Sequence, residues 1–194
     1  MKNILIAFSG KARSGKGECS NALEKIAVQK GLTYKKISFA DGIKDIAREY
    51  FDWDGSKELY ILKTRSVPPT TAPIPIVQDR GRQLLINIGQ HFRAIRPTIW
   101  ADIAYKRILK YEKEQSKNVV FCIDDLRFKN EIDIVRKYSN SLIVRVVREN
   151  GQLSIDDISE KDCDDVKFSH TINNNGSLED LAREVEKIYN NATL

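Results

Sequence analysis

The side chains best placed to do chemistry lie in a loop near the start of the printed sequence. The loop follows the apolar run Ile4–Phe8 and precedes a stretch in which apolar residues recur at helical spacing. It reads Gly10-Lys11-Ala12-Arg13-Ser14-Gly15-Lys16-Gly17. A buried strand, a glycine-bounded loop and a helix form a phosphate cradle, because glycine lets the backbone turn its N–H groups inward. Lys16 and the positive end of the helix add to this, so we predict a site for nucleotide phosphates.

The residue after the loop lysine departs from the usual pattern. In Gly-x-x-x-x-Gly-Lys loops a Ser or Thr commonly follows, and its hydroxyl helps to hold magnesium. Here Gly17 follows, and Glu18 comes next. Magnesium must then be held by other groups. The candidates are Asp124, Asp125, water and Glu18, because carboxylates and water are ordinary magnesium ligands.

A second chemical feature is the acidic end of a predicted buried strand. The apolar run Val119–Ile123 is followed directly by Asp124 and Asp125. Ligands of parallel sheets bind beyond the carboxyl ends of the strands, so one of these carboxylates is expected near the phosphate loop, where it could hold magnesium directly or through water. The alternative is that an aspartate caps the helix that follows, and each aspartate could take one of the two roles.

Arginines at strand ends are the third feature. Phosphoryl transfer depends on positioning and charge neutralisation, so donor and acceptor phosphates both need cations, and arginine grips phosphate with two hydrogen bonds. Arg13 lies in the loop, Arg127 follows Asp125 closely, and Arg148 ends a predicted strand. Further arginines flank the predicted middle helices: Arg80, Arg82, Arg93 and Arg96. A solvated surface charge is the ordinary alternative for any one of them, and the placement of Arg127 and Arg148 disfavours it.

Composition restricts the class of protein. The chain has 194 residues, of which 41% are hydrophobic and 30% charged, so we expect one globular domain, with or without an insertion. It has no apolar run of membrane-spanning length and no signal peptide, so we expect a cytoplasmic protein without membrane contact. Its net charge is +5, but Lys and Arg are spread along the chain, which does not favour nucleic-acid binding. Its cysteines, Cys19, Cys122 and Cys163, are expected to be reduced thiols.

Strand-like and helix-like segments alternate along the chain, which predicts a parallel sheet with helices on both faces. The predicted strands are Asn3–Phe8, Tyr34–Phe39, Val119–Ile123, Ser141–Val147 and Phe168–Ile172. The predicted helices are Lys16–Lys30, a short one from Asp41, Gln78–Ala94, Pro97–Glu114, Lys129–Tyr138 and a last one after a capping box at Ser177. Phe51–Val77 is proline-rich and predicts a surface excursion. The polar, acid-rich Arg148–Lys167 predicts a loop or lid.

Beyond the phosphate loop, several short segments occur in an order and spacing that are more specific than any one segment. They are Phe39–Lys44, Arg82–Gly89 followed by Trp100, Asp125–Glu131, Val146–Arg148 and Ile172–Glu179. Together with the loop they resemble the phage-type deoxynucleoside monophosphate kinases, a branch of the P-loop nucleotide kinases. The resemblance covers most of the chain, and the proline-rich Ser66–Pro75 is poorly matched to it.

The resemblance implies an α/β fold of the P-loop nucleoside monophosphate kinase type, with a five-stranded parallel sheet and helices on both faces. It implies a single domain over residues 1–194, with an acceptor-binding insert at about 41–115. A long Arg-rich lid is absent from the sequence, and the acid-rich segment at about 150–167 is the candidate for a shorter one. The implied reaction moves the γ-phosphate of ATP to a deoxynucleoside 5′-monophosphate, with Mg²⁺ as the second cofactor. For a phage protein the compartment would be the host cytoplasm.

The resemblance also assigns roles to residues. The catalytic residues would be Lys16, Arg13, Asp125 and Arg127. ATP would be bound by the loop from Gly10 to Gly17 with Glu18, and its base would be lined by Arg148, Asn174, Asn175 and Gly176. The acceptor would be bound by Lys44, Arg82, Arg93 and Trp100, and magnesium by Asp124 and Asp125, directly or through water. No general base is needed, because the acceptor oxygen of a monophosphate is already ionised at neutral pH.

Two alternatives stay open. Another small-molecule P-loop kinase, such as a dephospho-coenzyme A or nucleoside kinase, would share the loop and differ only in its acceptor pocket. A non-catalytic nucleotide-binding module is less favoured, because the sequence contains no Asn-Lys-x-Asp guanine motif and a switch does not need so many arginines at strand ends. The sequence does not decide which base is preferred or whether the chain forms a homodimer.

Overall fold

The computed structural model describes residues 3–55, 59–60, 79–149, 162–163 and 165–193. These residues belong to two compact units. The first unit is Met1–Phe39 with Ala101–Leu194, and the second is Ala40–Trp100. The insert predicted at about 41–115 therefore begins with the second unit and ends inside the first. The proline-rich Ser66–Pro75 and most of the predicted lid lie outside the described residues.

Strands and helices alternate along the described chain. The strands are β1 (Ile4–Ser9), β2 (Thr33–Lys36), β3 (Leu59–Tyr60), β4 (Asp79–Arg80), β5 (Val119–Leu126), β6 (Ser141–Val147) and β7 (His170–Asn173). The helices are α1 (Lys16–Gln29), α2 (Asp41–Phe51), α3 (Gly81–Ile95), α4 (Ile99–Glu114), α5 (Lys129–Arg136) and α6 (Leu178–Ala192). No helix in this described part of the chain is both long and apolar enough to cross a membrane.

The first unit is built on a five-stranded sheet in the order β2-β5-β1-β6-β7. Every neighbouring pair of these strands is parallel, which confirms the predicted sheet. All of β1 is buried, as the apolar run at the start of the chain requires of a central strand covered on both faces. The carboxyl ends of β1, β5 and β6 consequently lie side by side, where a ligand of a parallel sheet binds.

Helices cover both faces of this sheet. On one face α1 and α6 pack over a core that includes Ile6, Leu23 and Val185. On the other face the ring of Phe121 lies 6.1 Å from Tyr111 of α4 and 6.0 Å from Tyr138, just after α5. The capping box predicted at the start of α6 is confirmed, because Ser177 Oγ accepts a hydrogen bond from the backbone N–H at the third position of that helix.

Two strands, β5 and β2, end at residues other than those predicted, each for its own reason. β5 runs on to Leu126, because β1 continues beside it and pairs Ser9 with Leu126. β2 ends at Lys36 rather than Phe39, because the backbone N–H of Phe39 donates to a side chain, that of Asp125, and not to a strand.

The second unit packs α2 against α3. Gly89 of α3 allows the close approach, since a Cβ there would lie 3.2 Å from Cδ1 of Ile43. Trp100 is 1% exposed, and its Nε1 donates to the carbonyl of Gly89 at 3.1 Å. Its ring lies 5.5 Å from that of Phe92. The indole is therefore part of the core of this unit.

Candidate active site

The phosphate loop joins β1 to α1 and needs glycine at two positions. Gly10 has φ +150° and Gly15 has φ +105°, a left-handed backbone region that other residues rarely adopt. A Cβ on Gly10 would lie 2.7 Å from Ser14 Oγ and closer still to the carbonyl oxygen of Val146. The loop is therefore packed tightly enough that only glycine fits at its first position.

Lys16 places its ammonium group across this loop. Its Nζ donates to the carbonyls of Gly10 at 2.6 Å and of Lys11 at 2.9 Å. The Lys11 carbonyl also accepts the backbone N–H of Ser14 at 3.2 Å, which closes a turn inside the loop. α1 begins at Lys16 and runs for 14 residues, so its positive end and the ammonium charge lie at the same place. An anion is favoured there.

Three residues in and just after the loop are exposed: Arg13, Gly17 and Glu18. Arg13 is exposed and has φ +63°, an uncommon conformation for a residue with a side chain and one that clusters at ligand-binding sites. Glu18 is exposed and accepts a hydrogen bond from Asn21 Nδ2 at 3.3 Å. A Cβ on Gly17 would meet no described atom within 4 Å. Packing among the described residues therefore does not exclude the usual Ser or Thr, and the magnesium role of Glu18 stays a prediction.

Both aspartates at the end of β5 contact the segment that contains β2. The register between β1 and β5 shifts where these aspartates lie, which marks a bulge of the kind that redirects side chains. Asp124 accepts from Lys36 Nζ at 2.5 Å. Asp125 accepts from the hydroxyl of Ser38 and from the backbone N–H of Phe39, the latter at 3.1 Å. The carboxylate of Asp125 thus holds the chain just before it passes into the second unit.

These contacts bear on the predicted magnesium site. Within the described residues, no three His, Cys, Asp or Glu side chains come together as a metal-binding group. Mg²⁺ that arrives with a nucleotide does not need such a group, because it keeps several waters and uses phosphate oxygens with one or two carboxylates. Asp124 and Asp125 fit that smaller role, which stays a prediction.

The backbone beside Arg127 is fixed by a buried acid. Glu131 is 3% exposed, and its Oε2 accepts the backbone N–H of Arg127 at 2.8 Å and of Phe128 at 3.0 Å. The alternative that Asp124 or Asp125 caps α5 is wrong, because the N-cap is Phe128 and the acid that accepts these two N–H groups is Glu131. On the other side, Cys163 Sγ donates to the Arg127 carbonyl at 3.2 Å.

Glu131→Ala is expected to lower the free energy of unfolding by about 1–3 kcal/mol, because it removes a buried acceptor from two part-buried N–H groups. Glu131→Gln keeps an oxygen acceptor and is expected to lose less. Denaturant unfolding measures both, with Asp133→Ala on the exposed side of α5 as the control. Equal losses for Glu131→Ala and Asp133→Ala would contradict this role for Glu131.

One charged residue near the site was missed by the sequence reasoning. Arg145 lies inside β6, opposite Ser9 of β1. Its Nη1 donates to the carbonyl of Cys163 at 3.4 Å, and its guanidinium lies 5.3 Å from the centre of the Phe168 ring. The signal was present, since an arginine within an otherwise apolar strand is unusual. Arg148, which the sequence favoured, is exposed.

The loop after β7 reaches the phosphate loop. Asn174 is 8% exposed, and its Nδ2 donates to the carbonyl of Ser14 at 2.9 Å. Asn175 Oδ1 accepts the backbone N–H of Glu149 at 3.0 Å. Gly176 is exposed. Of these residues, which are predicted to bind ATP, Asn174 contacts the phosphate loop, and a contact of any of them with the base stays a prediction.

The predicted acceptor residues all lie in the second unit. Lys44 Nζ is 3.7 Å from Asp41, and Arg93 Nη1 donates to the Gly89 carbonyl at 3.4 Å. Arg82 is exposed. Trp100 is in the core of the unit, a placement that favours packing over direct contact with an acceptor. Lys44, Arg82 and Arg93 remain the candidates.

None of the three cysteines is suited to act as a nucleophile. All of them are free, which confirms the predicted thiols. Burial raises the pKa of Cys19 to about 12 and that of Cys122 to about 11. Burial likewise raises the pKa of Cys163 to about 11. The thiols are therefore protonated at neutral pH, and a thiolate-based reaction is not indicated.

Comparison with solved structures identifies the fold. The APS kinase CysC of Mycobacterium tuberculosis matches 98% of this chain and 99% of its own, with a TM-score of 0.50 and 10% identity. The shikimate kinase of Acinetobacter baumannii, in complex with shikimate, matches 100% and 96%, with a TM-score of 0.50 and 11% identity. The chain has the P-loop kinase fold. The predicted fold class is confirmed, and at these identities the likeness extends to the fold alone. No family model and no curated protein matches the sequence.

Proposed function

We propose that the protein is a kinase that transfers the γ-phosphate of ATP to a deoxynucleoside 5′-monophosphate. One observation carries the proposal: the ammonium group of Lys16 is held across a glycine-bounded loop, next to the positively polarised N-terminus of α1. The P-loop kinase fold supports phosphoryl transfer to a small molecule. The choice of acceptor rests on the sequence segments that resemble the deoxynucleoside monophosphate kinases.

The residues of the phosphate loop suit a triphosphate. Gly10 and Gly15 permit the tight backbone, and the start of α1 directs backbone N–H groups at an anion. Lys16 and Arg13 would neutralise phosphate charge. When bound, ATP would supply the phosphoryl group, and Mg²⁺ would offset the negative charge of its phosphates. The chain contributes position and electrostatic stabilisation, which are the main sources of catalysis in phosphoryl transfer.

The acceptor half of the proposal uses cations rather than a base. A monophosphate brings an ionised oxygen, so the protein needs to orient it and offset the repulsion between the phosphates. Arg127 is suited to the reacting phosphate, because its backbone is fixed on both sides by Glu131 and Cys163. Lys44, Arg82 and Arg93 are proposed to bind the acceptor phosphate or sugar.

A second candidate is a kinase of another small molecule. Its support is the pair of structural neighbours, an APS kinase and a shikimate kinase, which carry the same fold. Folds of this kind serve many acceptors, and the acceptor pocket rather than the phosphate loop decides among them.

An acceptor panel separates these proposals. Purified protein with Mg·ATP is offered deoxy- and ribonucleoside monophosphates, nucleosides, dephospho-coenzyme A, shikimate and APS, and phosphorylated products are measured. We expect diphosphates from one or more deoxynucleoside monophosphates. Product from another acceptor alone would establish the second candidate. ATP binding without product from any acceptor would favour a non-catalytic module.

Arg127→Ala is expected to lower kcat by about 10²-fold or more and to change KM for ATP much less, if Arg127 acts mainly on the transition state. Arg127→Lys should recover part of the loss, because it keeps the charge without the paired geometry. Steady-state kinetics at saturating acceptor measure this, with Arg136→Ala on α5 as the control. An effect confined to KM would reassign Arg127 to ground-state binding.

A further inference from the structure

The loop between β7 and α6 braces the phosphate loop through one buried side chain. Asn174 Nδ2 donates to the Ser14 carbonyl at 2.9 Å, across a separation of 160 residues. The same residue is fixed by its own backbone, whose N–H donates to the Val147 carbonyl at 2.7 Å. Asn174 is 8% exposed, so its carboxamide is a packed, directed donor rather than a mobile surface group.

The contact is close as well as directed. Gly15 has φ +105°, and a Cβ on it would overlap Nδ2 of Asn174. Ser14 is 3% exposed, so its carbonyl lies in a buried part of the loop, where an unpaired acceptor is costly. The side-chain amide of Asn174 therefore occupies the space that a side chain at position 15 would need.

The planarity of the peptide bond gives this contact a consequence for phosphate binding. The carbonyl of Ser14 and the N–H of Gly15 belong to one trans peptide unit and point in opposite directions. Because Asn174 holds the carbonyl, the Gly15 N–H is turned to the other side, away from Asn174. The next residue is Lys16, where α1 begins. The orientation of the Ser14–Gly15 peptide, which ends one residue before α1 begins, is thus set by a residue that lies 160 positions away in sequence.

We propose that Asn174 is a positioning residue of the phosphate loop and acts without touching the nucleotide. It fixes the Ser14–Gly15 peptide in the orientation that binds phosphate. The identity of the ligand as ATP rests on the proposed function, whereas the brace itself does not. This role differs from the contact with the donor base that the resemblance implies for Asn174.

The neighbouring Asn175 connects the same loop to β6. Its Oδ1 accepts the backbone N–H of Glu149, the residue after Arg148, at 3.0 Å. Adjacent side chains of the β7–α6 loop therefore hold the phosphate loop and the chain that leaves β6. The β7–α6 loop therefore links the phosphate loop to the segment of Arg148, a residue that the resemblance assigns to ATP binding.

Asn174→Asp is the sharpest variant. It preserves shape but places an acceptor against the Ser14 carbonyl and adds a negative charge behind the phosphate loop. The dissociation constant for Mg·ATP is expected to rise about 10- to 100-fold, whereas KM for the acceptor changes little. Asn174→Ala removes the donor without adding charge, and a smaller rise is expected. Asn173→Asp makes the same chemical change on the adjacent, exposed side chain and is the matched control.

Two measurements on each variant test the proposal: calorimetric titration with Mg·ATP, and amide hydrogen exchange without nucleotide. We expect faster exchange confined to residues 10–17 in both Asn174 variants, and wild-type behaviour in Asn173→Asp. Wild-type exchange in this loop for both Asn174 variants would overturn the proposal, as would faster exchange spread evenly over the first unit. If wild-type protein fails to bind ATP while the loop responds to both Asn174 variants, the brace stands and the proposed function fails.

Discussion

Lys16→Ala is expected to lower kcat/KM at least about 10²-fold, because removing one preorganised group that stabilises charge in a transition state has an effect of this size. The fold should persist, because Lys16 Nζ donates to carbonyls of its own loop, those of Gly10 and Lys11. These hydrogen bonds are local and do not join distant strands. Steady-state kinetics measures the loss of activity, and circular dichroism on the same preparation measures whether the fold persists.

The control for Lys16→Ala is Lys25→Ala, which removes an exposed lysine from the same helix. It separates the loss of a general positive charge from the loss of the loop charge. Near-normal activity of Lys16→Ala would contradict the role of the loop lysine. An unfolded Lys16→Ala protein would show that the lysine is required for structure, and would contradict its assignment to phosphate binding alone.

We expect the charge of Asp125 to matter for turnover and its hydrogen bonds to matter for stability, so that different substitutions affect the two properties separately. Asp125→Asn can still accept the N–H of Phe39, and its amide can donate to the Ser38 hydroxyl. It therefore removes the charge and keeps the tether. We expect kcat to fall at least about tenfold and the magnesium requirement to rise, since a carboxylate near the phosphates is an ordinary magnesium ligand. Stability should change by less than about 1 kcal/mol.

Asp125→Ala removes both functions and is expected to lose a further ~1–3 kcal/mol, the size of the penalty for leaving hydrogen-bonding partners unsatisfied. Ser38→Ala is the matched variant, because it removes one hydrogen bond and keeps the carboxylate. It should retain most of the turnover. Wild-type turnover and magnesium dependence in Asp125→Asn would show that Asp125 serves only as a tether.

The layered fold could be predicted because each layer leaves a local signal. The apolar run in β1, the apolar residues recurring at helical spacing in α1 and the capping box at Ser177 each depend on residues close in sequence. Alternation of such segments was enough to predict a parallel sheet. Strand ends were less predictable, since β2 ends where Asp125, far away in sequence, takes over a backbone N–H.

The phosphate loop was predictable for the same reason, but the hydrogen bonds that distant residues make to it and to its neighbours were not. The motif from Gly10 to Gly17 is contiguous, whereas the partners of Ser14, Asp125 and Arg127 come from other parts of the chain. Spacing in one sequence does not specify which distant side chains meet. Trp100 is a further example: the resemblance implied a contact with the acceptor, whereas its burial and its hydrogen bond to Gly89 depend on residues that its own position does not reveal.

Transfer of labelled phosphate from γ-labelled Mg·ATP to a deoxynucleoside monophosphate tests the proposed activity most directly. The wild-type protein and Lys16→Ala are assayed in parallel against each of the common deoxynucleoside monophosphates, and the labelled diphosphate is separated and counted. We expect labelled diphosphate with the wild-type protein and a loss of at least about 10²-fold with Lys16→Ala. Wild-type protein that binds Mg·ATP yet labels none of these monophosphates would contradict the proposed activity.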